Sequence, residues 1–179
     1  MLLLRQVNLN KSPKAQEHIC SLMVESDNCI YLLQEPNWSK QKVFTGLPKG
    51  FKILGTPNSR AIIVAPKHFP VFTVQELTCK DHTLCLYDDG DQKRFFGSIY
   101  LDILLPSVSE PLSKICDYVT LSGSGGILCL DSNAHSVLWG SLVSNPRGEA
   151  LEELIFQHNI DVLNKGSKPT FVNLRGHNV

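Results

Sequence analysis

Residues 128–141 read LCLDSNAHSVLWGS, an apolar run followed by an acid, an amide and an imidazole within five positions. The apolar run GGILCLD over 125–131 predicts a buried strand that ends at Asp131. Asn133 and His135 follow before the chain becomes apolar again. In extended chain, residues i and i+2 point to the same side, so Asp131 and Asn133 are predicted to face one pocket. The alternative interpretation is a turn, because Asp-x-Asn is a common turn pair.

Two earlier predicted strands also end in polar side chains. Residues 2–8 end at Asn8, and CIYLLQE over 29–35 ends at Glu35. If these ends converge with Asp131, the pocket contains carboxylates and amides, which are oxygen ligands that suit Mg²⁺ and its bound phosphate. Each residue alone is more typical of a turn or a solvated loop. The interpretation as a site therefore rests on their shared position at strand ends.

Three further residues are candidates with competing interpretations. Tyr100 lies in an apolar strand ahead of Asp102, so it either packs in the core or reaches the pocket with its hydroxyl. Arg60 opens a strand and either contacts phosphate or is an ordinary exposed arginine. His135 either positions a phosphate or caps a turn, and Trp139 is interpreted as a packing anchor.

The rest of the chain alternates helices with strands. Helices are predicted over 12–27 with Ser12 as cap, over 145–159 with Asn145 as cap, and over 109–122 with Ser109 as cap. Further strands are predicted at 60–65, 72–77, 83–88, 95–101, 161–164 and 170–172.

This order of elements predicts an α+β fold, a two-layer β-sandwich flanked by helices. The four consecutive strands in the middle are predicted to form an antiparallel meander, and the glycines and prolines of 46–58 predict a loop. SGSGG over 122–126 precedes a strand instead of linking a strand to a helix, which argues against a dinucleotide-binding fold. The length of 179 residues predicts a single domain over 1–179.

Composition narrows the function class. The 17 basic and 17 acidic residues argue against a protein that grips nucleic acid by bulk charge, although a local basic face or a divalent cation achieves the same against phosphate. The six cysteines form no CxxC pair, which favours reduced thiols in an intracellular protein over a zinc site. No apolar run is long enough to span a membrane, and MLLL is interrupted too early for a signal peptide.

Seven segments carry a resemblance to a known family. They are QVNLNKSPKA (6–15), LLQEP (32–36), RAIIVA (60–65), SIYLDILLP (98–106), DSNAHSVLWGS (131–141), NPRGEALEELI (145–155) and VLNKGSKPTFV (162–172). Through them the whole chain resembles the endonuclease/exonuclease/phosphatase superfamily, the fold shared by exonuclease III, apurinic/apyrimidinic endonucleases and DNase I. It is particularly similar to the apurinic-like endonuclease domain of arthropod non-LTR retrotransposons.

The resemblance implies a role for each candidate residue. Glu35 is implied to be the metal carboxylate, with Asn8 beside it. Asp131 is implied to position or activate the attacking water, and Asn133 to orient the scissile phosphate. Tyr100 matches the family tyrosine that contacts phosphate. Two other candidates, Arg60 and His135, match family positions near the DNA.

The implied reaction is hydrolysis of a phosphodiester in double-stranded DNA with Mg²⁺ or Mn²⁺, which leaves a 3′-hydroxyl. In the retroelements this hydroxyl primes reverse transcription, so a reverse transcriptase domain is the implied partner in an intact element and the nucleus the implied location. A phosphatase or phosphodiesterase of the same fold, acting on a phosphoinositide or sphingolipid, is an alternative. The sequence shows no amphipathic membrane-binding segment, which disfavours it.

The end of the sequence departs from the family pattern. Family members continue beyond PTF into strands with Ser-x-Ile-Asp and Ser-Asp-His patterns, whose His acts as base or phosphate contact. This sequence ends in LRGHNV, so we expect a C-terminally truncated domain that lacks its last strands and one catalytic half. His177 follows Gly176 in a predicted loop and is not assigned as the base. The expectations that follow are an endonuclease inactive as it stands, or a non-catalytic retroelement-derived fragment.

Overall fold

Two four-stranded sheets form the core of the structure, a computed structural model that describes residues 2–104 and 110–165. The first sheet has the order β1-β2-β4-β3, with β1 at Leu3–Asn8, β2 at Cys29–Gln34, β3 at Phe51–Leu54 and β4 at Ala61–Pro66. The second has the order β5-β6-β7-β8, at Val71–Thr73, His82–Asp88, Lys93–Tyr100 and Gly126–Asp131. β1 pairs with β2, and β7 with β8, in parallel, and the other neighbours are antiparallel. The predicted α+β class with two sheets is confirmed.

The described residues form two compact units. The first comprises residues 2–104 and 110–132 and contains both sheets, and the second comprises residues 133–165. Helices α1 at Pro13–Glu25 and α2 at Glu110–Ser122 belong to the first unit, and α3 at Pro146–Gln157 belongs to the second. The single domain over 1–179 stays a prediction.

Apolar side chains fill the space between the two sheets. Ile30, Leu32 and Ile63 of the first sheet pack in one cluster with Cys85 and Phe96 of the second. All six residues of β2 and of β4 are buried, as expected for strands that are covered on both faces. The next residue, Glu35, therefore lies at the end of a fully buried strand.

Helix α1 covers the other face of the first sheet. It begins as the sequence predicts, because Ser12 Oγ accepts the Ala15 N–H at 3.3 Å and Pro13 occupies the first turn. Ile19 and Met23 are buried in a second cluster with the outward side chains of β2 and β4. Helix α2 packs its Tyr118 ring edge-on against Phe95 of β7, 5.6 Å between centroids. Its predicted cap, Ser109, lies outside the described residues.

Three predictions about strands and loops are wrong, and a fourth gave a strand that is too long. The predicted loop of 46–58 contains the edge strand β3, whose four residues pair with β4 between flanking glycines. The middle strands are not one meander, because β4 pairs with β2 and β3 while β5 begins the second sheet. Residues 161–164, which lie within the described part of the chain, form no strand. The predicted strand 72–77 is shorter, since β5 ends at Thr73 and a 3₁₀ turn follows. The predicted strand 170–172 lies outside the described residues.

Candidate active site

The ends of β1, β2 and β8 bring three predicted site residues together. Asn8 pairs with Gln34 across the parallel β1–β2 ladder, which places the end of β1 beside Glu35. Asn8 Nδ2 donates a hydrogen bond to Asp131 Oδ2 and lies 3.5 Å from Glu35 Oε2. The convergence expected from the sequence is therefore present for Asn8, Glu35 and Asp131, and an amide separates the two carboxylates.

The orientation of the Asn8 amide follows from a backbone contact. Asn8 Oδ1 accepts the N–H of Asn10 at 2.7 Å. Its amide nitrogen therefore faces the two carboxylates, since the assignment of amide oxygen and nitrogen follows the hydrogen-bond network. Asn8 acts here as a donor that links Glu35 to Asp131 and offsets the repulsion between their negative charges.

Glu35 is held by its backbone as well as by its side chain. Its φ of 46° lies in the left-handed region, which is uncommon for a residue with a Cβ and is enriched at functional sites. Its N–H donates to the Arg60 carbonyl at 2.6 Å, which joins it to the start of β4. Lys11 Nζ lies 3.3 Å from Glu35 Oε1, and the glutamate side chain is 13% exposed. The carboxylate is thus partly buried, charge-paired and fixed in place.

Beneath these residues, buried amides connect the two sheets. The Gln34 side chain is inaccessible to solvent, and its Nε2 donates to Ser98 Oγ at 2.9 Å and to the Cys129 carbonyl at 3.3 Å. Gln6 Nε2 donates to the Leu130 carbonyl at 2.9 Å. Sequence reasoning missed the roles of Gln6 and Ser98. The signal for Gln6 is its position two residues before Asn8, on the same face of β1.

Arg60 is held by two carboxylates and covers Tyr100. Its guanidinium forms a two-point contact with Asp81, 2.5 Å from Nε to Oδ1 and 2.7 Å from Nη2 to Oδ2, and its Nη1 bonds Asp102. The Arg60 Cζ lies 4.7 Å from the centre of the Tyr100 ring. Sequence reasoning missed Asp81. The DNA contact of Arg60 stays a prediction, and in the structure Arg60 holds the ring of Tyr100.

The Tyr100 hydroxyl remains protonated over the neutral range. Burial raises its pKa, and the nearby negative charges of Glu35, Asp102 and Asp131 raise it further, against a lowering by Arg60. Tyr100 also pairs with Asp131 across the parallel β7–β8 ladder. A neutral tyrosine that keeps its proton can donate a hydrogen bond to an anion beside the two carboxylates.

The carboxylates fit a cation that needs few protein ligands. Among the described residues, no group of three or more His, Cys, Asp or Glu side chains could hold a metal ion. Mg²⁺ is held by one or two carboxylates and otherwise keeps its waters or binds substrate phosphate. Glu35 and Asp131, joined through Asn8, supply that kind of oxygen donor set. A closed site of nitrogen and sulfur ligands would need a different set.

Asn133 and His135 belong to the second unit. Asn133 has a φ of 47°, so the extended backbone that the sequence argument assumed at this position is wrong. The backbone of His135 makes two contacts with Asn145: its carbonyl accepts the Asn145 N–H at 3.0 Å, and its N–H donates to Asn145 Oδ1 at 3.2 Å. The roles of both side chains stay predictions.

A family model matches the C-terminal part of the chain, and two solved structures match most of it. Residues 95–179 match the family model described as endonuclease-reverse transcriptase. The superfamily resemblance is confirmed. The fold is similar to that of the endonuclease domain of TRAS1, a telomere-specific non-LTR retrotransposon, with a TM-score of 0.78 and 22% identity over 98% of this chain and 79% of that chain. It is also similar to the AP endonuclease LMAP from Leishmania major, with a TM-score of 0.61 and 12% identity over 87% of this chain and 66% of that chain. No curated protein sequence matches.

The NPRG segment of the superfamily resemblance has a structural reason. Asn145 caps α3, because its Oδ1 accepts the Gly148 N–H at 2.7 Å, and Pro146 occupies the first turn as predicted. A Cβ on Gly148 would lie 1.8 Å from the carbonyl oxygen of His135. The glycine is therefore required for the close approach of α3 to the backbone of His135. Trp139 donates its Nε1–H to the Ala134 carbonyl at 3.3 Å in the same unit.

The state of the cysteines and the character of the helices can be read from the structure. All six cysteines, each within the described residues, are free thiols, and four of them are buried. Within residues 2–104 and 110–165, no helix combines the length and the apolar character that a membrane crossing requires.

Proposed function

We propose that this chain is a DNA endonuclease that hydrolyses phosphodiester bonds with Mg²⁺ or Mn²⁺. The observation that carries the proposal is the contact of Asn8 with Glu35 and Asp131, at the ends of strands from both sheets. The family match of residues 95–179 and the likeness to two endonuclease structures support a nuclease-type function. The substrate in the proposal is double-stranded DNA, and the nucleus is the proposed location.

The roles of the carboxylates follow from their surroundings. Glu35 would hold the cation, with Asn8 fixing its orientation. When bound, Mg²⁺ polarises a phosphoryl oxygen and offsets charge on the leaving oxygen. Asp131 accepts a proton from the attacking water, whose oxygen bonds to phosphorus as the bond to the 3′ oxygen breaks. The 3′ oxygen takes up a proton from a solvent water and leaves as a 3′-hydroxyl, and the phosphoryl group remains as the 5′-phosphate of the other end.

The phosphate would be positioned by neutral donors. Tyr100 donates a hydrogen bond from its hydroxyl to a phosphate oxygen, and Arg60 keeps the ring in place through Asp81 and Asp102. Asn133 orients the same phosphate in this proposal. His135 and Arg60 are proposed to lie near the DNA.

A reverse transcriptase domain of an intact element is the proposed partner. A nick with a 3′-hydroxyl is a primer end, so the product of this reaction is the substrate that such a domain extends. The family model matched by residues 95–179 joins the two activities in its description.

Plasmid nicking with analysis of the ends tests the proposal. Supercoiled plasmid is incubated with the chain in Mg²⁺, with EDTA, and with Glu35→Ala, and the nicks are then offered to a DNA polymerase without prior phosphatase treatment. We expect nicking in Mg²⁺ that EDTA and Glu35→Ala abolish, and direct extension from the nicks. Glu76→Ala, which removes a carboxylate from an exposed residue, is the matched control. Folded protein that never nicks would contradict the proposal and favour a non-catalytic DNA-binding role.

A further inference from the structure

We propose that Lys11 pairs with Glu35 in the cation-free protein. When a divalent cation binds, the Lys11 side chain moves so that its ammonium pairs with a substrate phosphate instead. The inference rests on the proposed function, because it takes Glu35 as a metal ligand. Lys11 Nζ lies 3.3 Å from Glu35 Oε1, while Glu35 Oε2 faces the Asn8 amide at 3.5 Å. Both carboxylate oxygens therefore have a partner, and a divalent cation that binds Glu35 repels the positive charge of Lys11 at the same carboxylate.

Lys11 is the partner that can leave. Asn8 is bound at both ends of its amide, since its oxygen accepts the Asn10 N–H and its nitrogen bonds Asp131 as well as approaching Glu35. The Lys11 side chain makes one ion pair and is 68% exposed. An ion pair of this exposure contributes little free energy, so a divalent cation competes with it readily.

The backbone keeps Lys11 at Glu35 while its side chain moves. Asn10 and Lys11 have φ angles of 45° and 54°, two consecutive non-glycine residues in the left-handed region. The Lys11 N–H donates to the Glu35 carbonyl at 2.8 Å, and the Ser12 N–H donates to the Leu9 carbonyl at 2.8 Å. This turn fixes the root of the lysine beside the carboxylate, so displacement of the ammonium needs only side-chain rotation.

The destination is a depression of about 280 Å³ next to Glu35, whose wall includes Lys11, Lys80 and Arg60. The charge of Arg60 is taken up by its two carboxylate partners. Lys80 is exposed and forms no ion pair with any residue that the structure describes. Once released from Glu35, Lys11 joins Lys80 as a second cation at this wall. Two ammonium groups beside an opening of this size suit a phosphodiester group of a nucleic acid strand.

The arrangement couples the cation to the substrate. A cation that binds alone breaks the ion pair between Lys11 and Glu35 without replacement. When a phosphodiester is present, the displaced ammonium acquires a new anionic partner. Cation and nucleic acid should therefore increase each other's affinity, and removal of the Lys11 charge should strengthen cation binding alone and reduce this mutual effect.

Mn²⁺ binding, followed by the electron paramagnetic resonance signal of the free ion, tests the inference without using activity. It is measured for wild type and Lys11→Met, with and without a phosphorothioate duplex that resists hydrolysis. We expect Lys11→Met to bind Mn²⁺ roughly three- to tenfold more tightly than wild type without DNA, from the size of partly exposed charge interactions. The duplex should tighten Mn²⁺ binding more in wild type than in Lys11→Met. Lys14→Met removes a nearby exposed charge and should match wild type, and Lys11→Arg should keep the wild-type behaviour.

The outcomes separate this inference from the proposed function. Equal Mn²⁺ affinity of wild type and Lys11→Met, with binding lost in Glu35→Gln, would overturn the role of Lys11 and leave the metal site standing. Equal tightening by the duplex in both proteins would overturn the transfer to phosphate. Mn²⁺ binding that Glu35→Gln leaves unchanged, or no binding to any of the proteins, would overturn the proposed metal site and this inference with it.

Discussion

Asn8 in β1 and Asp131 at the end of β8 are joined by a side-chain hydrogen bond, although 123 positions separate them in the chain. β1 belongs to the first sheet and β8 to the second. The bond therefore forms only when both sheets have come together. Glu35, at the end of the neighbouring β2, is placed against the same amide.

Replacement of Asn8 tests the importance of this link. Asn8→Ala removes the donor between Glu35 and Asp131 and leaves their charges facing each other. We expect plasmid nicking in Mg²⁺ to fall at least about 100-fold, because positioning at the reacting centre is worth that much. Asn10→Gly, which keeps the backbone N–H for Asn8 and suits the φ of 45° at this position, is the control and should retain most of the activity. An Asn8→Ala protein that nicks at the wild-type rate would show that the amide is dispensable.

The buried glutamine beneath the site should contribute to stability. Gln34→Leu leaves the carbonyl of Cys129 and the hydroxyl of Ser98 without their donor, and we expect a loss of about 2 kcal/mol in the free energy of unfolding by urea. In a double-mutant cycle, Gln34→Leu and Ser98→Ala should show a coupling of about 1 kcal/mol, since the two side chains bond directly. Additive effects would mean that this bond between the sheets contributes nothing.

Gly148 should tolerate no side chain. In Gly148→Ala the new Cβ would lie 1.8 Å from the His135 carbonyl oxygen, a backbone atom that cannot rotate away. We expect destabilisation by about 3 kcal/mol, measured by hydrogen exchange of the α3 amides. Gly50→Ala is the matched control, because a Cβ there meets nothing within 4 Å, and its effect should stay within about 0.5 kcal/mol. Equal exchange in both variants would contradict the close packing at Gly148.

Tyr31 should make the protein sensitive to alkaline pH. Burial, reinforced by the neighbouring Cys29, raises its pKa from 10.0 to about 12, and its side chain is fully buried. The unfolded chain therefore loses this proton first, so the stabilisation is complete below pH 10 and disappears as the pH rises through about 12. The free energy of unfolding of wild type should fall by about 2 to 3 kcal/mol more than that of Tyr31→Phe between pH 9 and pH 12. Parallel pH profiles would show that Tyr31 titrates normally.

Local signals predicted the helices and most strands of this fold. The starts of α1 and α3 were predicted from a capping residue that is followed directly by a proline, and the structure has both caps. The strand β3 was missed because its four residues lie within a region rich in glycine and proline. The change of sheet between β4 and β5 has no local signal, since either pairing would suit the same apolar strands.

The candidate site, like the fold, was predicted from the sequence only in part. Asn8, Glu35 and Asp131 were candidates for one pocket because each lies at the end of a predicted strand, and in the structure the ends of β1 and β2 in one sheet meet the end of β8 in the other. The partners that hold them were not predicted. Asp81, for example, is an ordinary loop acid in the sequence, and only the folded chain brings it to Arg60. A polar residue in a loop gives no indication of its partner until the tertiary contacts form.

The rate of plasmid nicking in Mg²⁺, compared among wild type, Glu35→Gln and Asp131→Asn, tests whether these two carboxylates form a hydrolytic site. Both substitutions keep the size of the side chain and remove one of the two negative charges that face the Asn8 amide. We predict metal-dependent nicking by wild type and a loss of at least about 100-fold in each variant, with unchanged circular dichroism. Nicking that persists at the wild-type rate in either variant would contradict the assignment of these carboxylates as the hydrolytic site.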